Sequence, residues 1–240
     1  MNKTYYITGD IHGDIYPIIN LIDKYELTKK DTIIILGDVG LNFYENERDS
    51  KKKKRLNKTG VQFLCIHGNH EIRPSNIKTY QEQKWRDGIV YEEKTYKNIH
   101  FAKDGEVYDL DGVKALCIGG AYSVDKKRRI AANKYWWPDE QPSNEIKKIV
   151  IDKLNSLNWE VDIVFSHTCP KKYIPIEAFI SGVNQDEVDQ STEEWLEYIE
   201  SKLKYNNWYC GHWHINKKID KLYFLFNGII ELKTKHLEKQ

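Results

Sequence analysis

The sequence predicts an α/β protein with a mixed sheet, folded as one domain, and three observations carry that expectation. Short β-branched runs alternate with longer amphipathic stretches through the N-terminal half, which is the pattern of layered α/β structure. Runs such as Thr32-Ile-Ile-Ile-Leu36 are apolar at consecutive positions, as strands covered on both faces are. No internal repeat, Pro/Ser-rich linker or composition break divides the 240 residues.

Taken in order, Thr4 to Thr8 reads as the first strand. Ile15, Ile18, Ile19 and Ile22 then recur at helical spacing behind Asp14, a residue suited to capping, with Pro17 tolerated in the first turn. Thr32 to Leu36 and Val61 to Ile66 read as buried strands. Gly88–Tyr91, Ile99–Ala102, Glu106–Leu110 and Val113–Ile118 follow as short strands in succession, which predicts local antiparallel pairing. Pro142-Ser143 starts a helix whose apolar stripe is Ile146, Ile149, Val150, Leu154 and Leu157. Val161–Phe165 is the next strand, and Ser191-x-x-Glu194 reads as a capping box ahead of Trp195, Leu196, Ile199 and Leu203. Trp208–Cys210 and Tyr223–Phe226 complete a domain expected over residues 1–232, with 233–240 a mobile tail.

Composition narrows the class. A hydrophobic share of 40% with 12% aromatic residues excludes a disordered chain, and 30% charged residues exclude a membrane bundle. Lys and Arg number 37 against 36 Asp and Glu, so the net charge of +1 announces no nucleic-acid or membrane surface. Met1-Asn2-Lys3-Thr4 runs straight into the first strand, so no leader is expected and the expected compartment is the cytoplasm. Cys65, Cys117, Cys169 and Cys210 are scattered without paired spacing and read as reduced packing residues.

The chemistry is concentrated where strands end. Five apolar runs close in polar clusters: Tyr5-Tyr-Ile-Thr-Gly-Asp10-Ile-His12, Ile33-Ile-Ile-Leu-Gly-Asp38, Leu64-Cys-Ile-His-Gly-Asn69-His70, Ile163-Val-Phe-Ser-His167 and Trp208-Tyr-Cys-Gly-His212-Trp-His214. In open α/β sheets ligand crevices form beyond the carboxyl ends of strands, so distant segments can converge there. Asp10 and His12 are two apart, as are His212 and His214, so each pair projects to one side of extended backbone. Imidazole, carboxylate and amide without thiolate suit Mn, Fe or Zn. Seven such donors are too many for one tetrahedral ion and suit two ions sharing a carboxylate, which is a dinuclear hydrolytic site.

The ordered set Asp-x-His, Gly-Asp, Gly-Asn-His-Glu, His and Gly-His-x-His resembles the calcineurin-like metallophosphoesterase family, in a bacterial or phage-type form, over nearly the whole chain. The resemblance implies a pair of stacked mixed sheets flanked by helices. It implies one divalent metal on Asp10, His12, Asp38 and His214, and a second on Asp38, Asn69, His167 and His212, with Asp38 bridging. It further implies that His70 is the catalytic histidine, and that a phosphate ester is hydrolysed by attack of a hydroxide generated between the metals. Gly9-Asp-Ile-His-Gly13 and Gly68-Asn-His-Glu71 resemble the serine/threonine protein phosphatase branch. That branch's Gly-Asp-x-Val-Asp-Arg-Gly motif is not kept, because Leu41 stands where the carboxylate behind the catalytic histidine would be and Asn42 where the phosphate-binding arginine would be.

Substrate contacts are expected from Arg128 and Arg129, in a basic segment just beyond Ile118-Gly-Gly-Ala-Tyr-Ser123, and from Arg73, close to His70. Trp136 and Trp137 read as packing, Lys51 to Arg55 as a solvated face, and His67, His100 and His236 lie outside the site. The expected substrate is a phosphorylated small molecule, nucleotide or peptide, with a phosphomonoester preferred. A phosphodiesterase or nuclease using the same metals is the alternative. A non-catalytic module binding nucleic acid through Lys51 to Arg55 is the rival from another class, and no membrane partner is expected.

Overall fold

The computed structural model describes residues 3–233. The chain first lays down β1 (Tyr5–Thr8), α1 (Tyr16–Tyr25), β2 (Thr32–Ile35), α2 (Glu47–Thr59) and β3 (Gln62–Cys65). Then come β4 (Tyr80–Trp85), β5 (Gly88–Glu93), β6 (Ile99–Ala102), β7 (Val107–Asp109) and β8 (Lys114–Ile118). The second half contains α3 (Lys126–Ala131), α4 (Asn144–Ser156), β9 (Ile163–Ser166), α5 (Ser191–Glu200), β10 (Asn207–Cys210), β11 (Lys217–Ile219), β12 (Leu222–Phe224) and β13 (Ile229–Leu232).

Two mixed sheets result. One runs β13-β1-β2-β3-β6-β5-β4 and the other β11-β12-β10-β9-β8-β7. In the first, β1, β2, β3 and β6 are parallel, with antiparallel strands at both edges. In the second, β8, β9, β10 and β12 are parallel, again with antiparallel edges.

Strand alternation explains the layering. Side chains two apart share a face, and Tyr5, Ile7, Ile34 and Leu64 pack against Ala115, Cys117, Ile163 and Phe165 between the sheets. The intervening Tyr6, Ile33, Ile35 and Phe63 face outward and are covered by Ile18, Leu21 and Ile22 of α1 and Leu56 of α2. On the other sheet, Leu116, Ile118, Val164 and Trp208 meet Val150 and Leu154 of α4 and Leu196 and Ile199 of α5. Strands buried on both faces are apolar at every position, which is why the runs did not alternate with polar residues. All four cysteines are free and buried in these layers.

Several local expectations are corrected. Asp14 is not the cap of α1; Ile15 holds that position, while Oδ1 of Asp14 accepts the Tyr16 N–H at 3.1 Å. The capping box does not form, because the hydroxyl of Ser191 turns to Gln141 and Oδ1 of Asp189 accepts the Ser191 N–H at 2.9 Å. Ser143 does cap α4, accepting from Ile146 at 3.3 Å. The edge strand β4 carries Gln81, Glu82, Gln83 and Lys84 exposed, a polar edge with no apolar period to reveal it. The tail expected at 233–240, and His236 in it, lie outside the described residues apart from Lys233. Among the described residues no helix is long and apolar enough to cross a membrane.

Candidate metal centre and active site

The polar clusters converge, because the parallel strands that carry them end side by side. Beyond β1 come Asp10 and His12; beyond β2, Asp38; beyond β3, Asn69 and His70; beyond β9, His167; beyond β10, His212 and His214. The chain is forced into unusual backbone to achieve this. His12, Asp38, His212 and His214 all have positive φ, at 44°, 44°, 65° and 50°. Non-glycine residues held in that region are strained, and such strain gathers at functional sites. Two glycines are required by close approach: a Cβ at Gly68 would stand 2.1 Å from Oδ1 of Asp38, and one at Gly211 would stand 2.1 Å from Oδ1 of Asp10.

All seven expected donors meet in one crevice. Nε2 of His214 lies 3.2 Å from Oδ2 of Asp10 and 3.0 Å from Nε2 of His12. Deeper in, Oδ1 of Asn69 has Nε2 of His167 at 2.8 Å and Nδ1 of His212 at 3.1 Å. Asp38 stands between the groups, with Oδ2 3.8 Å from Nδ1 of His12 and Oδ1 3.7 Å from Nε2 of His167. Donor atoms of Asp10, His12 and His214 lie within 4.8 Å of one another, as do those of Asp10, Asp38 and His167.

The arrangement fits cations. Nδ1 of His167 donates to the Leu36 carbonyl at 2.8 Å, which turns Nε2 toward two oxygens, Oδ1 of Asn69 and Oδ1 of Asp38. The amide nitrogen of Asn69 is turned away to Ser123 Oγ at 2.8 Å, leaving its oxygen toward the crevice. Oδ2 of Asp10 is buried and faces ring nitrogens, Nε2 of His214 at 3.2 Å and Nε2 of His12 at 3.9 Å. Converging lone pairs repel unless a positive charge sits among them. A donor set of nitrogen and oxygen without thiolate suits Mn, Fe or Zn.

Electrostatics agree with this chemistry. Burial alone would raise the Asp38 carboxyl, but the His167, His70 and His12 rings outweigh it and hold the group below its usual range. Burial drives His212 well below the usual imidazole value, so it is a neutral ring with a lone pair to give. Burial also lowers His70, with Asp38 opposing and Arg129 assisting. His214 is raised, chiefly by its bond to Asp10.

His70 stands beside the donors. Its backbone N–H donates to Oδ1 of Asp38 at 2.8 Å, and its ring lies 5.8 Å from that of His12. Leu41 is fully buried in the apolar layer under α1, and Asn42 accepts from the Tyr80 hydroxyl at 3.0 Å, so neither reaches the crevice. The polar partners of the His70 ring come from α3 and the residue before it. Nη2 of Arg129 lies 3.0 Å from Nδ1 of His70, and Oδ1 of Asp125 lies 3.8 Å from Nε2. Asp125 was missed in the sequence, although it directly precedes the basic run that drew notice. Glu71 closes the Gly68-Asn-His-Glu71 motif. It is fully buried and braces the turn, with Oε1 accepting the Gly68 N–H at 3.1 Å.

The expected substrate cations divide. Arg128 lines the crevice, its side chain 83% exposed. Arg129 is largely covered and held by Asp125 and the Tyr135 carbonyl. The expectation for Arg73 is corrected: its guanidinium is buried, bound to Asp104 at 2.5 Å and to the Asp139 carbonyl at 2.7 Å, and faces away from the crevice. Trp136 bonds Glu140 and Trp137 packs on Phe43, so both are packing residues. Lys51 to Arg55 lies on α2, where Lys53 is buried against Glu93, so the run is not one solvated face.

Over residues 3–216 the chain matches the family described as calcineurin-like phosphoesterase. The chain belongs to that family. As a calcineurin-like phosphoesterase it is a metal-dependent hydrolase, and its fold has solved counterparts. The phosphopantetheinyl hydrolase of Mycobacterium tuberculosis is 15% identical, with a TM-score of 0.54 over 94% of this chain and 88% of that one. A protein of unknown function from Aquifex aeolicus is 16% identical, with a TM-score of 0.33 over 70% of this chain and 81% of that one. No curated protein matches this phosphoesterase in sequence.

Proposed function

We propose that this phosphoesterase hydrolyses a phosphomonoester using two divalent cations, one on Asp10, His12, Asp38 and His214, the other on Asp38, Asn69, His167 and His212. The observation that carries this reading is the position of Asp38, whose two carboxylate oxygens face separate donor groups at 3.8 and 3.7 Å. Bound there, the cations would polarise phosphoryl oxygens and supply a nucleophile near neutral pH.

The protein's own groups do the rest. A guanidinium only donates, so Nδ1 of His70 accepts from Arg129 and the ring proton resides on Nε2. Nε2–H is then available to the departing oxygen, as a hydrogen-bond donor to the negative charge that develops there. Asp125 holds the Arg129 guanidinium through Nε at 2.7 and 2.8 Å, so the ring is oriented from behind without Leu41. Arg128 at the lip is mostly exposed, its Nη2 3.4 Å from Oδ2 of Asp125, and would turn its other donors to the outer phosphate oxygens.

A phosphodiester is the second reading. On the other side of His70 a recess of about 250 Å³ is lined by Lys52, Arg129, Phe43 and Tyr44. Its two cations favour phosphate oxygens over a second ester arm, which supports the monoester. Comparing p-nitrophenyl phosphate with bis(p-nitrophenyl) phosphate on metal-loaded protein tests the choice. Faster turnover of the diester would reverse it, and no turnover of either would remove the functional reading.

A further inference from the structure

The crevice does not stop at the proposed ligands. It widens into a chamber of about 520 Å³, within the roughly 300–1,000 Å³ of small-molecule sites. One wall of it is formed by residues 174–188, which carry two single-turn helices, Ile176–Ala178 and Gln185–Glu187, and no strand. That wall presents Ile174, Phe179, Ile180, Val183 and Val188. Ile180 is 63% exposed although it lines the chamber. A cluster of apolar side chains facing solvent marks a place where something apolar binds.

The wall is continuous with the proposed chemistry. The Phe179 ring lies 6.2 Å from that of Trp213, and Trp213 separates His212 from His214 in the chain. An ester whose phosphate sits among the donors therefore has its leaving group against these side chains. Charge points the same way. Among the described residues Arg128 is the only Lys or Arg lining the chamber, while Asp125 and Glu193 are also in its lining. Glu193 is 4% exposed, with Oε1 accepting from the Thr168 hydroxyl at 2.8 Å and Oε2 buried without a partner. Buried as it is, Glu193 offers a leaving group no accessible hydrogen bond, and a second phosphate in the chamber would find only Arg128 among its lining cations.

We propose that the leaving group this site selects is an uncharged, largely apolar alcohol seated against Phe179, Val183 and Val188, rather than a nucleotide, sugar or phosphopeptide residue. This rests on the phosphoesterase reading above and names the substrate class for the same site.

The test uses n-alkyl phosphates from propyl to heptyl on the manganese-loaded enzyme, with 5′-AMP for comparison. The alkoxides differ little in basicity along that series, so the slope of kcat/KM with chain length reports the wall and not the chemistry. Each methylene that becomes buried should raise kcat/KM about fourfold. Calorimetric binding of n-hexylphosphonate and methylphosphonate gives a readout free of turnover, and the hexyl compound should bind at least about tenfold tighter. Phe179→Ala, and separately the more exposed Ile180→Ser, should flatten both dependences. Equal values for short and long chains in both assays, or 5′-AMP preferred to hexyl phosphate, would overturn the inference. If no ester is turned over, the phosphoesterase reading fails, and the phosphonate series still decides whether the wall binds apolar chains.

Discussion

Nη2 of Arg129 lies 3.0 Å from Nδ1 of His70, while Nε of the same guanidinium binds both oxygens of Asp125. The pair ties a strand-end histidine to a helix 59 residues further along the chain. It gives His70 an orientation that the residue at position 41, a buried leucine, cannot provide.

The first prediction concerns that histidine. An aryl oxide leaves readily unaided, whereas an alkoxide concentrates charge that a hydrogen bond from Nε2–H of His70 would offset, worth about 1.5–3 kcal/mol for a bond to a charged group. His70→Ala should therefore lose much more activity on an alkyl phosphate than on p-nitrophenyl phosphate. Arg129→Met should show the same bias in milder form, with metal content unchanged in both variants. Equal losses on the two esters would assign His70 to stabilising the phosphoryl group instead of the departing oxygen.

The second concerns the cations. Chelation should abolish hydrolysis and added Mn²⁺ should restore it. Asp38→Asn should reduce bound metal at both positions, because its oxygens face both donor groups, whereas His12→Ala should chiefly affect one. Elemental analysis giving fewer than one ion per active chain would rule out a dinuclear centre.

The third concerns two arginines that look alike in sequence. Arg73 is buried against Asp104, so Arg73→Leu strands a buried carboxylate and should cost about 3–5 kcal/mol of stability. Arg128 is exposed at the lip, so Arg128→Ala should raise KM and leave the melting temperature near that of the parent. Urea titration and steady-state kinetics on both variants separate the two roles. A KM effect without destabilisation at Arg73 would contradict the assignment.

The fourth concerns pH. Burial pushes the Glu193 carboxyl up to about 7, against 4.5 for an ordinary glutamate. Between those values the folded chain keeps a proton that the unfolded chain has lost, so stability falls as pH rises from about 4.5 to 7 and levels off above. The total is at most about 3 kcal/mol. Glu193→Gln keeps an acceptor for Thr168 and removes the titration, so its stability relative to the parent should grow from pH 5 to pH 8. Parallel pH–stability curves for the two proteins would show that this carboxyl does not titrate in that window.

What the sequence determined by itself was local and repeated. Strand periodicity, glycine before a carboxylate or histidine, and polar residues at the carboxyl ends of apolar runs were all visible within a few residues. Local chemistry dictates them: strands buried on both faces must be apolar throughout, and tight turns toward a shared crevice need small residues at positions such as Gly68 and Gly211. The convergence of these seven side chains was therefore legible. Tertiary structure alone decided the rest, because it depended on partners distant in sequence. Whether a cation meets substrate or a buried carboxylate is settled by which acid packs beside it, Asp104 for Arg73 and Asp125 for Arg129. The hydroxyl of Ser191 gave up its capping role to Gln141, fifty residues away. The wall from Ile174 to Val188 has neither helical nor strand period, so nothing in its pattern announced it. It became visible as a wall only when β10 placed Trp213 beside Phe179.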